Sequence, residues 1–291
     1  MLRLAVATQQ ETFERIRDPL ADRDVEVVPI QASERTLSLT DPDPDLADAD
    51  VDVGFVFPSR LMEGGVVDAI LSVPWVNDRE AILTSRNKAG VLATLAAAGV
   101  PVPETTLVSN PVDDDAVAAA ASEFDAPLVV KPNSTTRGVG IAKVGDSDSL
   151  LGVTDYLDLV HDYRATGDRS YLLQEYLPAA RDYRAMVVDG EYAGAVERRL
   201  PESAVAEGRW KHNVHRGAEA RGVDLSPEAR ELAEDAAEAL GIDYLGVDIL
   251  ETEGRVVVNE TNARPTVDSA TKYEPGFYDR LAALIRRTAE Q

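Results

Sequence analysis

A hairpin signature near the C-terminus constrains this chain more than any other stretch. Apolar runs at Tyr244 to Leu250 and Arg255 to Glu260 are separated by a short segment holding Gly254. A three-residue loop of Thr252, Glu253 and Gly254 would set Glu251 opposite Arg255 and Asp248 opposite Val258, with the glycine in the left-handed position. Side chains alternate along a strand, so Asp248, Val258, Glu260 and Asn262 are expected on one face. Three oxygen-bearing side chains gathered there suit Mg²⁺, which takes a few carboxylate oxygens together with phosphate oxygens and water. The competing reading is a solvated strand face. The Glu-Thr-Asn run directly after the apolar Val256 to Val258 favours the metal.

The hairpin sits in an α/β pattern. Strand-type runs at Leu2 to Ala7, Val25 to Ile30 and Val51 to Phe57, with a helix through Phe13 to Leu20, describe a small N-terminal α/β lobe. No glycine-rich fingerprint follows the first strand, which argues against a dinucleotide site there. Asp41 to Asp50 reads as a solvated loop. Strong helix formers from Arg86 to Ala98 stop at Gly99, and Pro101 and Pro103 mark a boundary. Strands at Leu128 to Lys131 and Gly140 to Val144 flank a loop of Ser, Thr and Gly. Then come a helix near Ser149 to Tyr163 and strands at Tyr171 to Tyr176, Tyr183 to Val188 and Tyr192 to Arg198. A helix N-capped by Ser226, with Pro227 in its first turn and Gly241 at its end, precedes the hairpin, and an amphipathic helix at Phe277 to Thr288 follows it.

Composition bounds the chemistry. The 291 residues include no cysteine, which excludes disulfides, thiolate zinc sites and cysteine nucleophiles, so any metal is held by oxygen or imidazole. A formal net charge of -23 disfavours nucleic acid as a partner. Lysine occurs only at Lys88, Lys131, Lys143, Lys211 and Lys272. A lysine-poor acidic surface is expected of a protein kept soluble in a salt-rich cell interior. No apolar run approaches the roughly 20 residues of a membrane span, and the start is too quickly polar for a secretory signal, so a cytoplasmic location is expected.

In so acidic a chain the cationic segments point to anions. Lys131 ends the apolar strand run from Leu128 and enters the loop Pro132-Asn133-Ser134-Thr135-Thr136-Arg137-Gly138-Val139-Gly140, whose backbone N–H groups and hydroxyls could cradle phosphate. The lysine precedes the glycines, unlike a P-loop. The segment Trp210-Lys211-His212-Asn213-Val214-His215-Arg216-Gly217-Ala218 concentrates further positive charge, and Arg216 can grip phosphate in a fork. The histidines are poor metal candidates, because no third imidazole lies nearby and His161 falls in a helix that reads as exposed. Arg181, Arg184, Arg198 and Arg199 each read individually as surface ion-pair partners.

Taken in chain order, these segments resemble the ATP-grasp superfamily, and within it the RimK-like ligases that add glutamate or related amino acids to an acceptor carboxylate. The resemblance runs from about Thr84 to the C-terminus. It implies an ATP-grasp fold of α/β class, with a pre-ATP-grasp lobe over 1–84 and two lobes, 85–175 and 176–291, clamping ATP. It implies that Lys88 and Lys131 contact ATP phosphates and that the loop with Ser134, Thr136 and Gly138 closes over them. Gln174-Glu175-Tyr176-Leu177 resembles the strand and hinge that hold adenine. Asp182 and Arg184 resemble the family's Asp-x-Arg strand, Asn213 and Arg216 a segment meeting the transferring phosphate, and Asp248, Glu260 and Asn262 the metal ligands.

Two departures stand out. Thr135 occupies the place of the first glycine of the clamp loop, and Asn262-Ala263-Arg264-Pro265-Thr266 replaces the usual Pro-Gly after the last metal ligand. Arg264, with Arg198, is therefore an expected contact for a substrate carboxylate. The resemblance implies ATP with two Mg²⁺ ions, Mn²⁺ being an alternative. It also implies a small-molecule or peptide carboxylate and an amino-acid amine as substrates, and a homodimer or higher homo-oligomer. The rival readings are a phosphotransferase that stops at phosphorylation and an inactive nucleotide-binding sensor.

Overall fold

The computed structural model describes residues 1–291 except 8–10, 32, 41–45, 47–48, 136–137, 161–167, 213 and 215–216. Three sheets organise the chain. The first is parallel, formed by β1 (Leu2–Val6), β2 (Val25–Pro29), β3 (Val53–Phe55) and β4 (Trp75–Val76) in the order β2-β1-β3-β4. Gly54 is required at its centre, because the Trp75 ring stands 2.2 Å from where a Cβ would project. The second is antiparallel, β5 (Thr105–Ser109), β6 (Leu128–Pro132), β7 (Ala142–Val144) and β8 (Ser170–Glu175), in the order β5-β8-β6-β7. The third holds β9 (Arg181–Val188), β10 (Glu191–Arg199), β11 (Glu219–Val223), β12 (Tyr244–Glu251) and β13 (Val256–Asn262) in the order β11-β10-β9-β12-β13, with β14 (Lys272–Tyr273) pairing β10.

Burial divides the molecule unevenly. One large apolar core joins the parallel sheet, the third sheet and the helices Pro227–Leu240 and Phe277–Ala289, whereas the second sheet packs a smaller core of its own around Val130, Leu150 and Leu173. Asn77 binds the large core together across sequence, its amide donating to the carbonyls of Tyr244 and Ala263. The small lobe therefore faces the large body across a cleft.

Local chemistry places two residues that matter later. The helix expected from Arg86 to Ala98 runs Lys88–Ala97, and a further helix outside the expectation, Arg79–Arg86, precedes it; Asn87 ends the first and caps the second, accepting from the Gly90 amide at 3.0 Å. Lys88 thus becomes the first residue of a helix. The second concerns the hairpin, whose register differs from expectation. Glu251 pairs Val256, and Thr252 to Arg255 form a four-residue turn closed by the Thr252 amide on the Arg255 carbonyl at 2.8 Å. The register then shifts by one residue between Val258 and Glu260, so Asp248 opposes Glu260 directly and Val258 turns into the core instead of sharing their face.

Candidate active site

The cleft between the small lobe and the third sheet has a volume of about 520 Å³ and is lined by Lys131, Gly138, Gln174, Glu175, Tyr176, Leu177, Asp182, Arg198, Asp248 and Glu260, among others. Ten residues singled out from sequence thus share one cavity, seven of them on β6, β8, β9, β10, β12 and β13, with Gly138 in the loop after β6 and Tyr176 and Leu177 directly after β8. Lys88 meets them through an ion pair with Glu260, Nζ to Oε1 at 3.3 Å.

The two lysines are buried cations. Lys88 is 4% exposed and also donates to the Thr135 carbonyl. Lys131 is 2% exposed and has only long contacts, 3.4 and 3.5 Å, to the side chain and carbonyl of Asn259. Burial lowers its ammonium to about 8; Glu260 and Asp248 offset part of that fall and Lys88 deepens it. An anion in the cleft would give Lys131 the close counter-charge that Lys88 already has in Glu260. Beside them, Ser134 is buried with a hydroxyl that finds no partner among the described residues, the condition of a group open to a ligand atom.

The acidic pair is held by arginines. Arg184 grips Asp248 in a fork, Nε to Oδ1 at 2.7 Å and a terminal nitrogen to Oδ2 at 2.8 Å, and Arg198 reaches the same carboxylate at 3.1 Å. Arg198 also bonds Asp182 through Nε at 2.8 Å. Burial alone would raise the Asp248 carboxyl, but Arg184 and Arg198 outweigh it and hold it below the usual carboxylate range. Asp182, with Arg198 as its strong partner and Asp248 nearby, is pushed up to about 6, mainly by burial. Arg184 and Arg198 are therefore not surface ion-pair residues, the reading that each drew when taken alone. Alternation along β9 and β10 brings them to the carboxylates' face.

At the other end of the cleft, Gln174 is buried and donates to the Thr105 hydroxyl at 2.9 Å. The Glu175 carboxylate is fully engaged by Arg255, at 2.8 and 2.9 Å, and by the Glu104 amide at 2.8 Å, while its own N–H donates to the Glu104 carbonyl at 3.0 Å. Three features lay outside the sequence expectation. Glu197 is buried in the cleft between Arg181 and Arg199. Tyr176 and Trp210 meet edge to face at 5.8 Å, with the Lys143 ammonium 4.6 Å from the Tyr176 ring centre. His212, lowered by burial and by Arg198, lies 3.8 Å from Asp182.

Asn262 pairs Gly246, which places it on the strand face of Asp248 and Glu260, and its Oδ1 accepts from the Arg264 amide at 2.8 Å. Arg264 lies elsewhere, in a separate cavity of about 150 Å³ beside the parallel sheet. Thr136, Asn213, Arg216, His215 and His161 lie outside the described residues. Among the described residues no cluster of three His, Cys, Asp or Glu side chains gathers to hold a metal. The available donor set is two carboxylates and an amide, which suits an oxygen-seeking ion that completes its shell with phosphate and water.

A family model described as the RimK-like ATP-grasp domain matches residues 85–276. The chain is 34% identical over 199 residues to a probable alpha-L-glutamate ligase of Enterobacter sp. strain 638, and 32% identical over 199 residues to the ribosomal protein bS6--L-glutamate ligase of Escherichia coli O139:H28. Both alignments take in 68% of this chain but only 62% of the relative. Among solved structures, the RimK domain ATP-grasp protein of Sphaerobacter thermophilus shares the fold with a TM-score of 0.64 at 23% identity, over 99% of this chain and 98% of that one. With the family model matched over residues 85–276 and relatives 32–34% identical over 68% of its length, the chain belongs to the RimK-like ATP-grasp family.

Proposed function

We propose that the protein is an ATP-dependent carboxylate-amine ligase that joins an amino acid, glutamate being the first candidate, to an acceptor carboxylate through an acyl phosphate. The observation that carries this reading is the meeting of Lys88 and Lys131, from a helix and a strand in the first half of the chain, with Asp248 and Glu260 of the late β12–β13 hairpin. The names of the relatives, two of them glutamate ligases, support the substrate class.

In this reading the backbone beside Glu175 and Leu177 holds adenine, with Tyr176 and Trp210 forming an apolar wall and Glu197 or Asp182 within reach of the ribose. Lys88, Lys131 and the loop carrying Ser134, Thr136 and Gly138 bind the phosphates. Asp248, Glu260 and Asn262 hold Mg²⁺, two ions being the proposed number, with Mn²⁺ as a substitute; a solved ATP-grasp ligase, PsnB, is described in complex with Mg and ADP. The metal would neutralise phosphate charge. A substrate carboxylate oxygen attacks the γ-phosphorus as the bond to ADP breaks; the amine then attacks the acyl carbon and inorganic phosphate leaves. The residues act by positioning and by charge placed where charge develops, Arg216 and Asn213 being assigned to the transferring group. No enzyme nucleophile is needed.

A homodimer and a salt-rich cytoplasm complete the proposal. The acidic, lysine-poor composition supports the habitat, and no described helix is long and apolar enough to cross a membrane. The test is a screen for ADP release by amino acids against candidate carboxylates in molar KCl, with mass spectrometry of the product. An amide whose formation matches ADP release in amount supports the ligase. ADP release that is indifferent to any amine would point to phosphorylation alone.

A further inference from the structure

The cavity holding Arg264 is built from the end of the parallel sheet. The chain leaves β1 for β2 on one side and returns to β3 on the other, so the carboxyl ends of β1 and β3 form a crevice where the strand order reverses. Open α/β sheets bind ligands at such points. Val6, Ala7, Phe55 and Val56 line this crevice, with Pro265 and Thr266 closing it from the large lobe. Val56 has φ of +60°, an uncommon and strained conformation for a β-branched residue, and its carbonyl accepts from the Arg264 guanidinium at 3.0 Å. The Phe57 carbonyl accepts from the same terminal nitrogen.

Those two bonds engage one nitrogen of the guanidinium. Its Nε and second terminal nitrogen meet no hydrogen-bonding or ionic partner among the described residues, although the chain is rich in carboxylates. Glu11 also lines the cavity but is already paired with Arg15 at 3.3 Å. Burial lowers Arg264 to about 10, with Arg86 contributing next, and Arg86 itself is tied to the Ser59 carbonyl and to no described carboxylate. Two guanidiniums thus converge on the segment after β3 without a counter-ion among the described residues. The crevice sets the carbon side chains of Val6, Phe55, Val56 and Pro265 beside the polar Thr12 and Thr266, a mixed lining of about 150 Å³ that suits a small amphipathic anion such as the carboxylate of an amino acid.

The crevice lies one strand step from the cleft. Pro265 packs on Gly246, its Cβ 3.1 Å from where a Gly246 side chain would begin, and Gly246 is on the same strand face as Asp248, two residues or about 7 Å away. We propose that Arg264 binds the free, non-reacting carboxylate of the amino acid being joined, so that the crevice is the amine-substrate pocket and its occupant's amino group faces the Asp248 side. This rests on the ligase reading.

The test is calorimetric binding of L-glutamate, L-aspartate, L-alanine and glycine, each compared with its α-carboxamide, to the full chain saturated with Mg·ADP. At least one amino acid is expected to bind wild type about 10- to 100-fold more tightly than its carboxamide, the worth of a charge-assisted hydrogen bond. Arg264→Met should erase that preference, and Arg264→Lys should restore part of it, with Mg·ADP affinity unchanged in both. Absence of amino-acid binding, or no preference for the carboxylate in wild type, overturns the proposal without needing a variant. So does an unchanged preference in Arg264→Met. Failure of Mg·ADP itself to bind would instead sink the ligase reading beneath it.

Discussion

The ammonium of Lys88 lies 3.3 Å from the carboxylate of Glu260, so the first residue of a helix in the first third of the chain is bound to β13, an edge strand of the third sheet. Lys88 is almost fully buried there, and only a partner of opposite charge makes such burial tolerable. The pair fixes one wall of the cleft before any ligand enters, which is the sense in which the site is preorganised.

Lys131 gives the site a pH signature. Its folded-state ammonium is lowered to about 8, from 10.5, so above pH 8 the nucleotide-free protein holds it neutral. Phosphate favours the charged form, so binding takes up a proton in that range and affinity falls as pH rises. Calorimetric affinity for Mg·ATP should weaken by up to about tenfold per pH unit above 8, and Lys131→Arg should remove the dependence.

Asp248 neutralises two guanidiniums. Asp248→Ala leaves Arg184 and Arg198 without that partner, and the loss of one member of a buried ion pair costs about 3 kcal/mol, reduced somewhat because Arg184 is a third exposed. Thermal unfolding of the variant should begin several degrees below wild type, and Mg·ATP should no longer raise its midpoint.

Trp210 should report nucleotide. It meets Tyr176 at 5.8 Å within the cleft, whereas the chain's other tryptophan, Trp75, packs on Phe57 in the parallel sheet. Adding ATP should change the tryptophan emission of wild type and of Trp75→Phe, and leave Trp210→Phe nearly silent.

Gly54→Ala would drive a methyl into the Trp75 ring, 2.2 Å away. Overpacking of this kind costs about 1–3 kcal/mol, to be read as a lower denaturation midpoint with nucleotide affinity preserved.

Much of this was legible in the residues. Strand runs marked β9, β10, β12 and β13 of the third sheet, though not β11 or β14, and the Ser226 cap, Pro227 and Gly241 bounded their helix as expected. The helix Leu61–Leu71 was missed because Gly64 and Gly65 lower helix propensity, and it forms through tertiary packing of Gly64 and Val67. The short helix Arg79–Arg86 was missed, and with it the role of Asn87, because an asparagine beside strong helix formers signals a cap only once the chain is seen to turn there. The bulge at Asn259 carries no local signal, yet it decides that Asp248 opposes Glu260. Arg184 and Arg198 looked like surface charges because burial depends on partners that lie on other strands.

The common metal and triphosphate pocket is tested most directly by calorimetric titration of ATP into wild type and Glu260→Gln, each with and without magnesium, in concentrated salt. Wild type should bind ATP substantially more tightly when magnesium is present, and Glu260→Gln should lose most of that gain. Binding that ignores magnesium in wild type, or an undiminished gain in the variant, would contradict a shared site for the late carboxylates and the two lysines.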